Sequence, residues 1–123
     1  MKRLKVLIFG VNGQDGFFLS ELFRKKDIDV IGLSRSNAKV IGSVDDISLV
    51  EKLIKNHQPQ YIFNLAANST TRHDAMFENH KTISTGTLNI LESVRLYCSQ
   101  AKVFLSGSAM QFKNEGLPID ENT

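Results

Sequence analysis

Short apolar runs alternate with helix-like patterns along this chain of 123 residues. Residues 5–10 (KVLIFG) are largely apolar, which predicts a strand buried on both faces. Similar runs predict strands at residues 29–34, 61–65 and 103–106. Because helical patterns separate these runs, the order β-α-β-α-β-α-β favours an α/β fold. We expect a Rossmann-like parallel sheet with helices on both faces.

Each of the three helical patterns has an expected inward side. Apolar residues recur every three or four positions in residues 15–26 and from Asp45-Asp46 to about His57. A longer helix is expected over residues 79–99. In chain order, the expected inward residues are Phe18, Leu19, Leu22 and Phe23, then Ile47, Val50, Leu53 and Ile54, then Ile83, Thr87, Ile90, Leu91, Val94 and Cys98.

Charge and cysteine content narrow the classes of partner. Lys and Arg number 15 against 13 Asp and Glu, and they are scattered, so we expect no nucleic-acid partner. No apolar run reaches membrane-spanning length, so we expect no membrane partner. Cys98 is the only cysteine, which favours the reducing cytoplasm. His73 and His80 lie near Asp74 and Glu78, but this pattern is more typical of a solvated surface than of a metal site.

Glycines occupy positions 10, 13 and 16 in the stretch FGVNGQDGFF, between the first predicted strand and the first predicted helix. Glycine permits a tight turn and removes the Cβ atom that would keep a phosphate from the backbone. The helix that follows offers free N–H groups and a partial positive charge to an anion. The spacing is G-x-x-G-x-x-G, and we interpret it as a cradle for a dinucleotide pyrophosphate. A tight packing turn without a ligand is the alternative.

The end of the second predicted strand indicates which dinucleotide binds. An acid at this point would hydrogen-bond the ribose 2′-hydroxyl of NAD, whereas an arginine can hold the 2′-phosphate of NADP. The chain has Ser34, Arg35 and Ser36 there, and no acid. We therefore expect NADP, with NAD as the second choice. The alternative is that Arg35 is an exposed loop cation.

Several segments resemble the NAD-dependent epimerase/dehydratases, which are extended short-chain dehydrogenases/reductases. GVNGQDGFFLSELF is similar to the opening of the GDP-mannose 4,6-dehydratase branch of that family. NLAANS (64–69) resembles the segment that borders the nicotinamide, and Gly86-Thr87 matches a Gly-Thr pair in the long helix. PIDENT (118–123) resembles the Pro-Ile-x-Glu segment that follows the strand of the active-site serine.

The resemblance implies a function for the chain and a role for its residues. It indicates the cofactor-binding portion of a nucleotide-sugar epimerase, dehydratase or reductase, with a nucleotide-sugar substrate. We also expect a homo-oligomer. Ser108 falls where the family has its catalytic Ser or Thr. The expected cofactor-binding residues are Gly10, Asn12, Gly13, Gln14, Asp15, Gly16, Ser34, Arg35, Val44, Leu65, Ala66, Ala67 and Ser106.

Some positions depart from the family's pattern. Met110 stands where dehydratases carry a Glu that serves as acid and base, so epimerase or reductase chemistry gains weight. Ile83 replaces a family Asn, and Ser43 replaces an acid that usually meets the adenine. Gln111 and the two residues after it replace the usual Val-Tyr-Gly.

The family's base, a Tyr in the motif Tyr-x-x-x-Lys, has no counterpart in these residues. Leu65 follows Tyr61 by four positions, and Ala101 follows Tyr97 by four. We therefore expect residues 1–123 to be the N-terminal part of a dinucleotide-binding Rossmann domain, truncated after the fourth or fifth strand and inactive alone. The alternatives are a naturally complete half-domain, a non-catalytic dinucleotide-binding module, and an interaction domain that binds no small molecule.

Overall fold

A single parallel sheet of five strands lies at the centre of the computed structural model, which describes residues 3–66, 76–106, 116–118 and 120–122. The strands follow the order β3-β2-β1-β4-β5, and all neighbouring pairs are parallel. The expected α/β class with a Rossmann-like sheet is confirmed. The strands are β1 (Lys5–Phe9), β2 (Asp29–Ser34), β3 (Val40–Ile41), β4 (Tyr61–Asn64) and β5 (Lys102–Leu105).

Helices pack on both faces of this sheet. The helix α1 (Gln14–Lys25) covers one face, where its apolar residues contact Val6, Ile8 and Val30. On the other face, α2 (Ile47–His57) and α4 (Gly86–Tyr97) enclose the larger core cluster. A short helix, α3 (Met76–His80), leads through a π-helical turn (Lys81–Thr85) into α4.

The strand β3 was not predicted. It consists of two residues that extend the pairing of β2, with Leu33 opposite Val40 and Ser34 opposite Ile41. So short an element has too few positions to show an alternating pattern. Its effect is to bring the segment after it beside the end of β2, where the N–H of Gly42 donates to the carbonyl oxygen of Ser34 at 2.9 Å.

The inward side of α1 differs from the prediction. Leu19 and Phe23 pack against the core as expected, but Phe18 and Leu22 are exposed. The two fully buried positions of the helix are instead Gly16 and Ser20. Because Gly16, Leu19, Ser20 and Phe23 occupy the side that faces the sheet, Phe18 and Leu22 face away from it.

The helix α2 follows its prediction except at its first residue. Val50, Leu53 and Ile54 are buried, whereas Ile47 is exposed. Asp46 is the N-cap, and its carboxylate accepts from the backbone N–H of Leu49 at 3.3 Å. The helix therefore begins where the sequence pattern predicts it.

The third predicted helix buries Ile90 and Val94 as expected, but it is not uniform and departs from the prediction at other positions. Helical structure begins at Met76 rather than at residue 79, and the π-helical turn at Lys81–Thr85 widens it locally. A wider turn shifts the phase of every position relative to an α-helical pattern. The predictions for Ile83 and Leu91 are wrong, since both side chains are exposed. The buried positions are Thr82, Gly86, Asn89, Ile90, Ser93 and Val94.

Candidate functional site

A cavity of about 200 Å³ lies at the carboxyl ends of β1, β2 and β4. The strands β1 and β4 are neighbours in the sheet although β2 and β3 separate them in sequence. Such a switch point is where open α/β sheets bind their ligands. The lining residues are Gly10, Gly13, Leu33, Ser34, Arg35, Gly42, Ser43, Val44, Leu65, Ala66 and Thr82.

Packing alone requires two of the three glycines in the turn after β1. Gly10 has a φ angle of +83°, and a Cβ atom there would lie 2.7 Å from the backbone nitrogen of Ala66. A Cβ atom at Gly16 would lie 2.5 Å from the carbonyl oxygen of Gly10. Both contacts are with backbone atoms, which cannot move aside as a flexible side chain would. These glycines let the turn pack tightly against the start of α1 and the end of β4.

Gly13 is different, because packing does not require a glycine there. A Cβ atom at this position would meet only the carbonyl oxygen of Gly10, at an ordinary 3.5 Å. Its φ angle of −71° is open to other residues. Gly13 is also the N-cap of α1 and supplies no side-chain hydrogen bond to the helix. No side chain of Gly13 caps or covers the N–H groups in the first turn of α1. Such N–H groups at a helix N-terminus are suited to binding an anion.

The end of β4 forms the second wall of the cavity. The buried side chain of Asn64 accepts a hydrogen bond from the backbone N–H of Ala66 at 3.3 Å. The backbone N–H of Leu65 donates to the carbonyl oxygen of Phe9 at 2.8 Å. These bonds hold Leu65 and Ala66 against Gly10. Asn64 therefore shapes the cavity, and it was quoted in the sequence only as part of the NLAANS segment.

The third wall is the segment around Val44, which α4 holds in place. The side-chain amide of Asn89 donates to the carbonyl oxygen of Val44 at 3.1 Å, and this bond is buried. A Cβ atom at Gly86 would lie 2.5 Å from Cγ1 of Val44, so glycine permits the close contact. The Gly86-Thr87 pair was the sequence signal that could have indicated this role.

Arg35 is the one charged side chain among the described residues that line the cavity. Its Nη1 atom lies 2.6 Å from Oε1 of Glu78, and its Nη2 atom donates to Oγ1 of Thr82 at 3.2 Å. Glu78 belongs to α3 and Thr82 to the π-helical turn. The cavity therefore has a cationic group at the end of β2, as the sequence predicts, but the cation is already paired with an acid.

The structure brings together many of the predicted cofactor-binding residues. Gly10, Gly13, Ser34, Arg35, Val44, Leu65 and Ala66 line the cavity. Gln14, Asp15 and Gly16 form the first turn of α1 beside it.

Two predicted site residues lie outside the cavity lining, and the structure does not describe two others. Asn12 does not line the cavity, and its side-chain amide donates to the carbonyl oxygen of Ser36. Ser106 follows β5, and its hydroxyl donates to the carbonyl oxygen of Asn64 at 3.0 Å. Ala67 and Ser108 lie outside the described residues. Gly42, Ser43 and Thr82 line the cavity without having been predicted as ligand-binding residues.

His57 and Cys98 are partly buried groups with shifted pKa values, and both lie outside the cavity lining. Burial and the nearby Lys5 and Lys39 lower the pKa of His57, and Asp29 opposes this. Burial raises the pKa of the Cys98 thiol, and this thiol also contacts the carbonyl oxygen of Pro59. A raised thiol pKa is typical of an unreactive cysteine.

Neither a metal cluster nor a membrane span is found in the part of the chain that the structure describes. No three His, Cys, Asp or Glu side chains converge within those residues. None of the helices in the same ranges has the length and apolar character needed to cross a bilayer.

The fold is that of a Rossmann-like α/β protein with a cavity at the switch point of its sheet, and comparison with known sequences gives the family. Residues 6–123 match the sequence model of the NAD dependent epimerase/dehydratase family. The chain therefore belongs to this family. It is 31% identical over 119 aligned residues to a GDP-mannose 4,6-dehydratase of Yersinia enterocolitica. That alignment covers 75% of this chain and 31% of the dehydratase, so the chain spans about a third of the relative's length.

Solved structures show the same fold. The Bordetella bronchiseptica enzyme WbmH, in complex with NAD+, is 26% identical and superposes with a TM-score of 0.69. The match covers 78% of this chain and 36% of WbmH. The epimerase Mth375 of Methanothermobacter thermautotrophicus is 22% identical, with a TM-score of 0.83 over 98% of this chain and 40% of the epimerase. At that identity the second match supports the fold alone.

Proposed function

We propose that these residues form the adenosine- and pyrophosphate-binding part of the nicotinamide dinucleotide site in a nucleotide-sugar epimerase, dehydratase or reductase. The observation that carries the proposal is Gly13. This glycine is the N-cap of α1, the helix that follows the turn, and packing there leaves room for a Cβ atom. A phosphate that approaches the backbone explains this glycine, and a packing turn does not.

The charge and size of the cavity fit this part of a dinucleotide. The N-terminus of α1 and the guanidinium of Arg35 both favour an anion, and no acid lines the cavity among the described residues. Its volume of about 200 Å³ is below the roughly 300–1,000 Å³ of complete small-molecule sites. We therefore assign the adenosine and pyrophosphate to it, and not the nicotinamide. WbmH, a relative of the same fold, was solved with NAD+.

Within this class we propose NADP as the first choice of cofactor. The support is Arg35, which follows β2 at the point where arginines hold a 2′-phosphate. Ser34 lies beside it and adds a hydroxyl that can donate to the same group. The opposing feature is the ion pair between Arg35 and Glu78.

Family membership supports the proposed reaction class. When bound, a nicotinamide dinucleotide accepts and returns a hydride. In this proposal Gly10 and Gly13 let the pyrophosphate approach the backbone, and Arg35 orients the adenosine end. Ser108 would polarise the reacting oxygen of the nucleotide sugar. The Yersinia enterocolitica relative supports a nucleotide-sugar substrate through its name.

Calorimetric titration of the protein expressed from its complete gene tests this proposal. NADPH and NADH are titrated separately, into wild type and into Arg35→Ala. We expect micromolar binding of NADPH that weakens in the variant by about tenfold, since charge-assisted hydrogen bonds contribute about 1.5–3 kcal/mol. A folded protein that binds neither dinucleotide would refute the proposal. Equal weakening of NADPH and NADH would refute the assignment of Arg35 to the 2′-phosphate.

A further inference from the structure

The guanidinium of Arg35 forms hydrogen bonds with two residues that are distant from it in sequence. Glu78 is 43 positions away and lies 2.6 Å from Nη1, and Thr82 is 47 positions away and lies 3.2 Å from Nη2. The Arg35 and Glu78 side chains are about half exposed, at 52% and 55%. Thr82 is buried. The guanidinium is therefore held on one side by the hydroxyl of a buried threonine and on the other by a half-exposed carboxylate.

We propose that Glu78 is a specificity-determining residue that lowers the preference of the site for a dinucleotide carrying a 2′-phosphate. This inference rests on the proposed function of the cavity. A carboxylate and a phosphate both seek the same forked donors of an arginine, so Glu78 competes for the group that a 2′-phosphate would use.

This site contains both an arginine and an acid near the end of the second strand, where a dinucleotide-binding protein usually has one or the other. An acid there serves a ribose 2′-hydroxyl, and an arginine serves a 2′-phosphate. In this chain the arginine follows β2, while the acid comes from α3 and meets it in space. The balance between Arg35 and Glu78, rather than Arg35 alone, sets the choice between NAD and NADP.

The exposure of the ion pair limits the size of the effect. Exposed pairs contribute up to about 1 kcal/mol, which corresponds to about fivefold in a binding constant. Glu78→Gln keeps the shape and one acceptor oxygen but removes the charge. Thr82 continues to hold Nη2 in this variant, so the guanidinium stays at the cavity wall. We expect Glu78→Gln to tighten NADPH binding by about twofold to fivefold and to leave the affinity for NADH unchanged.

The test is a set of calorimetric titrations on the protein expressed from its complete gene. The variants are Glu78→Gln, Arg35→Ala and the double variant, each titrated with NADPH and NADH. Glu92→Gln is the matched control, since Glu92 forms an ion pair with Arg95 on α4 and does not line the cavity. Because Glu78 is proposed to act through Arg35, its effect on NADPH should vanish in the Arg35→Ala background. Circular dichroism establishes that each variant is folded.

The outcomes separate this inference from the proposed function. An equal change for both dinucleotides in Glu78→Gln, or no change for either, overturns the inference while binding itself stands. A full effect that persists in the Arg35→Ala background also overturns it. If wild type binds neither dinucleotide, the proposed function fails and this inference fails with it.

Discussion

Replacement of Gly13 by alanine distinguishes the two interpretations of the glycine turn, a cofactor-binding site and a packing turn without a ligand. The added Cβ atom would lie 3.5 Å from the nearest atom, the carbonyl oxygen of Gly10, and the backbone needs no change. The lower entropy of the unfolded chain stabilises such a variant by about 0.4–1 kcal/mol. Alanine is a poorer N-cap than glycine, which costs about 0.5–1 kcal/mol. The two effects nearly cancel, so we expect the free energy of unfolding to change by less than about 1 kcal/mol.

Dinucleotide binding should respond much more strongly. A methyl group at the N-terminus of α1 keeps phosphate oxygens away from the first-turn N–H groups. Hydrogen bonds to a charged group contribute about 1.5–3 kcal/mol, so their loss weakens binding by about tenfold to a hundredfold. The expected signature of Gly13→Ala is therefore a nearly unchanged stability together with a large loss of affinity for both NADPH and NADH.

Gly16→Ala is the matched control for this experiment. Its Cβ atom would lie 2.5 Å from the carbonyl oxygen of Gly10, and such overpacking costs about 1–3 kcal/mol. Urea denaturation gives the stabilities, and calorimetric titration gives the affinities. A Gly13→Ala protein that binds both dinucleotides as tightly as wild type would refute the reasoning. So would a Gly13→Ala protein that is destabilised as much as Gly16→Ala.

Three further variants test how the fold supports the site and how it responds to pH. Asn89→Ala should lower the free energy of unfolding by about 1–3 kcal/mol, because the buried carbonyl of Val44 loses its donor. Asp46→Ala should lower it by about 0.5–2 kcal/mol, because the N–H of Leu49 loses its cap. The folded pKa of His57 lies below 6.5, so the unfolded state binds more protons and stability is lost as the pH falls through about 6.5. His57→Gln should remove this loss, which urea midpoints near pH 7.5 and about 5.5 would measure.

Each of these expectations has a clear contrary result. Unchanged urea midpoints in Asn89→Ala or Asp46→Ala would show that the corresponding hydrogen bond does not contribute to stability. A decline between the two pH values that is as steep in His57→Gln as in wild type would assign the decline to other groups.

Local sequence patterns predicted the sheet and the glycine turn well. The buried positions of β1 and β2, residues 6–9 and 30–33, carry no polar side chain because both faces of a parallel sheet are covered. The glycine at position 16 reflects a local contact, since its Cβ atom would meet the carbonyl oxygen of Gly10. The residues that follow β1, β2 and β4 could be named in advance because parallel strands present their carboxyl ends at one edge.

The features that the sequence could not predict depend on contacts between distant residues. The inward side of α4 consists largely of small or polar residues, such as Gly86, Asn89 and Ser93, which an apolar pattern does not reveal. The π-helical turn before it shifts the phase of the helix, and no local signal marks it. The pairing of Arg35 with Glu78 joins elements 43 positions apart. For this reason the sequence predicted Arg35 as the cation of the cavity but did not predict Glu78 as its partner.

The most direct test of the central claim is a crystal structure of the protein expressed from its complete gene, grown with NADPH and separately with NADH. The account predicts pyrophosphate oxygens within hydrogen-bond distance of the N–H groups in the first turn of α1, next to Gly13. It also predicts the adenosine ribose beside Arg35 and the segment at Val44. A dinucleotide bound elsewhere, or one whose pyrophosphate does not contact the N-terminus of α1, would contradict it.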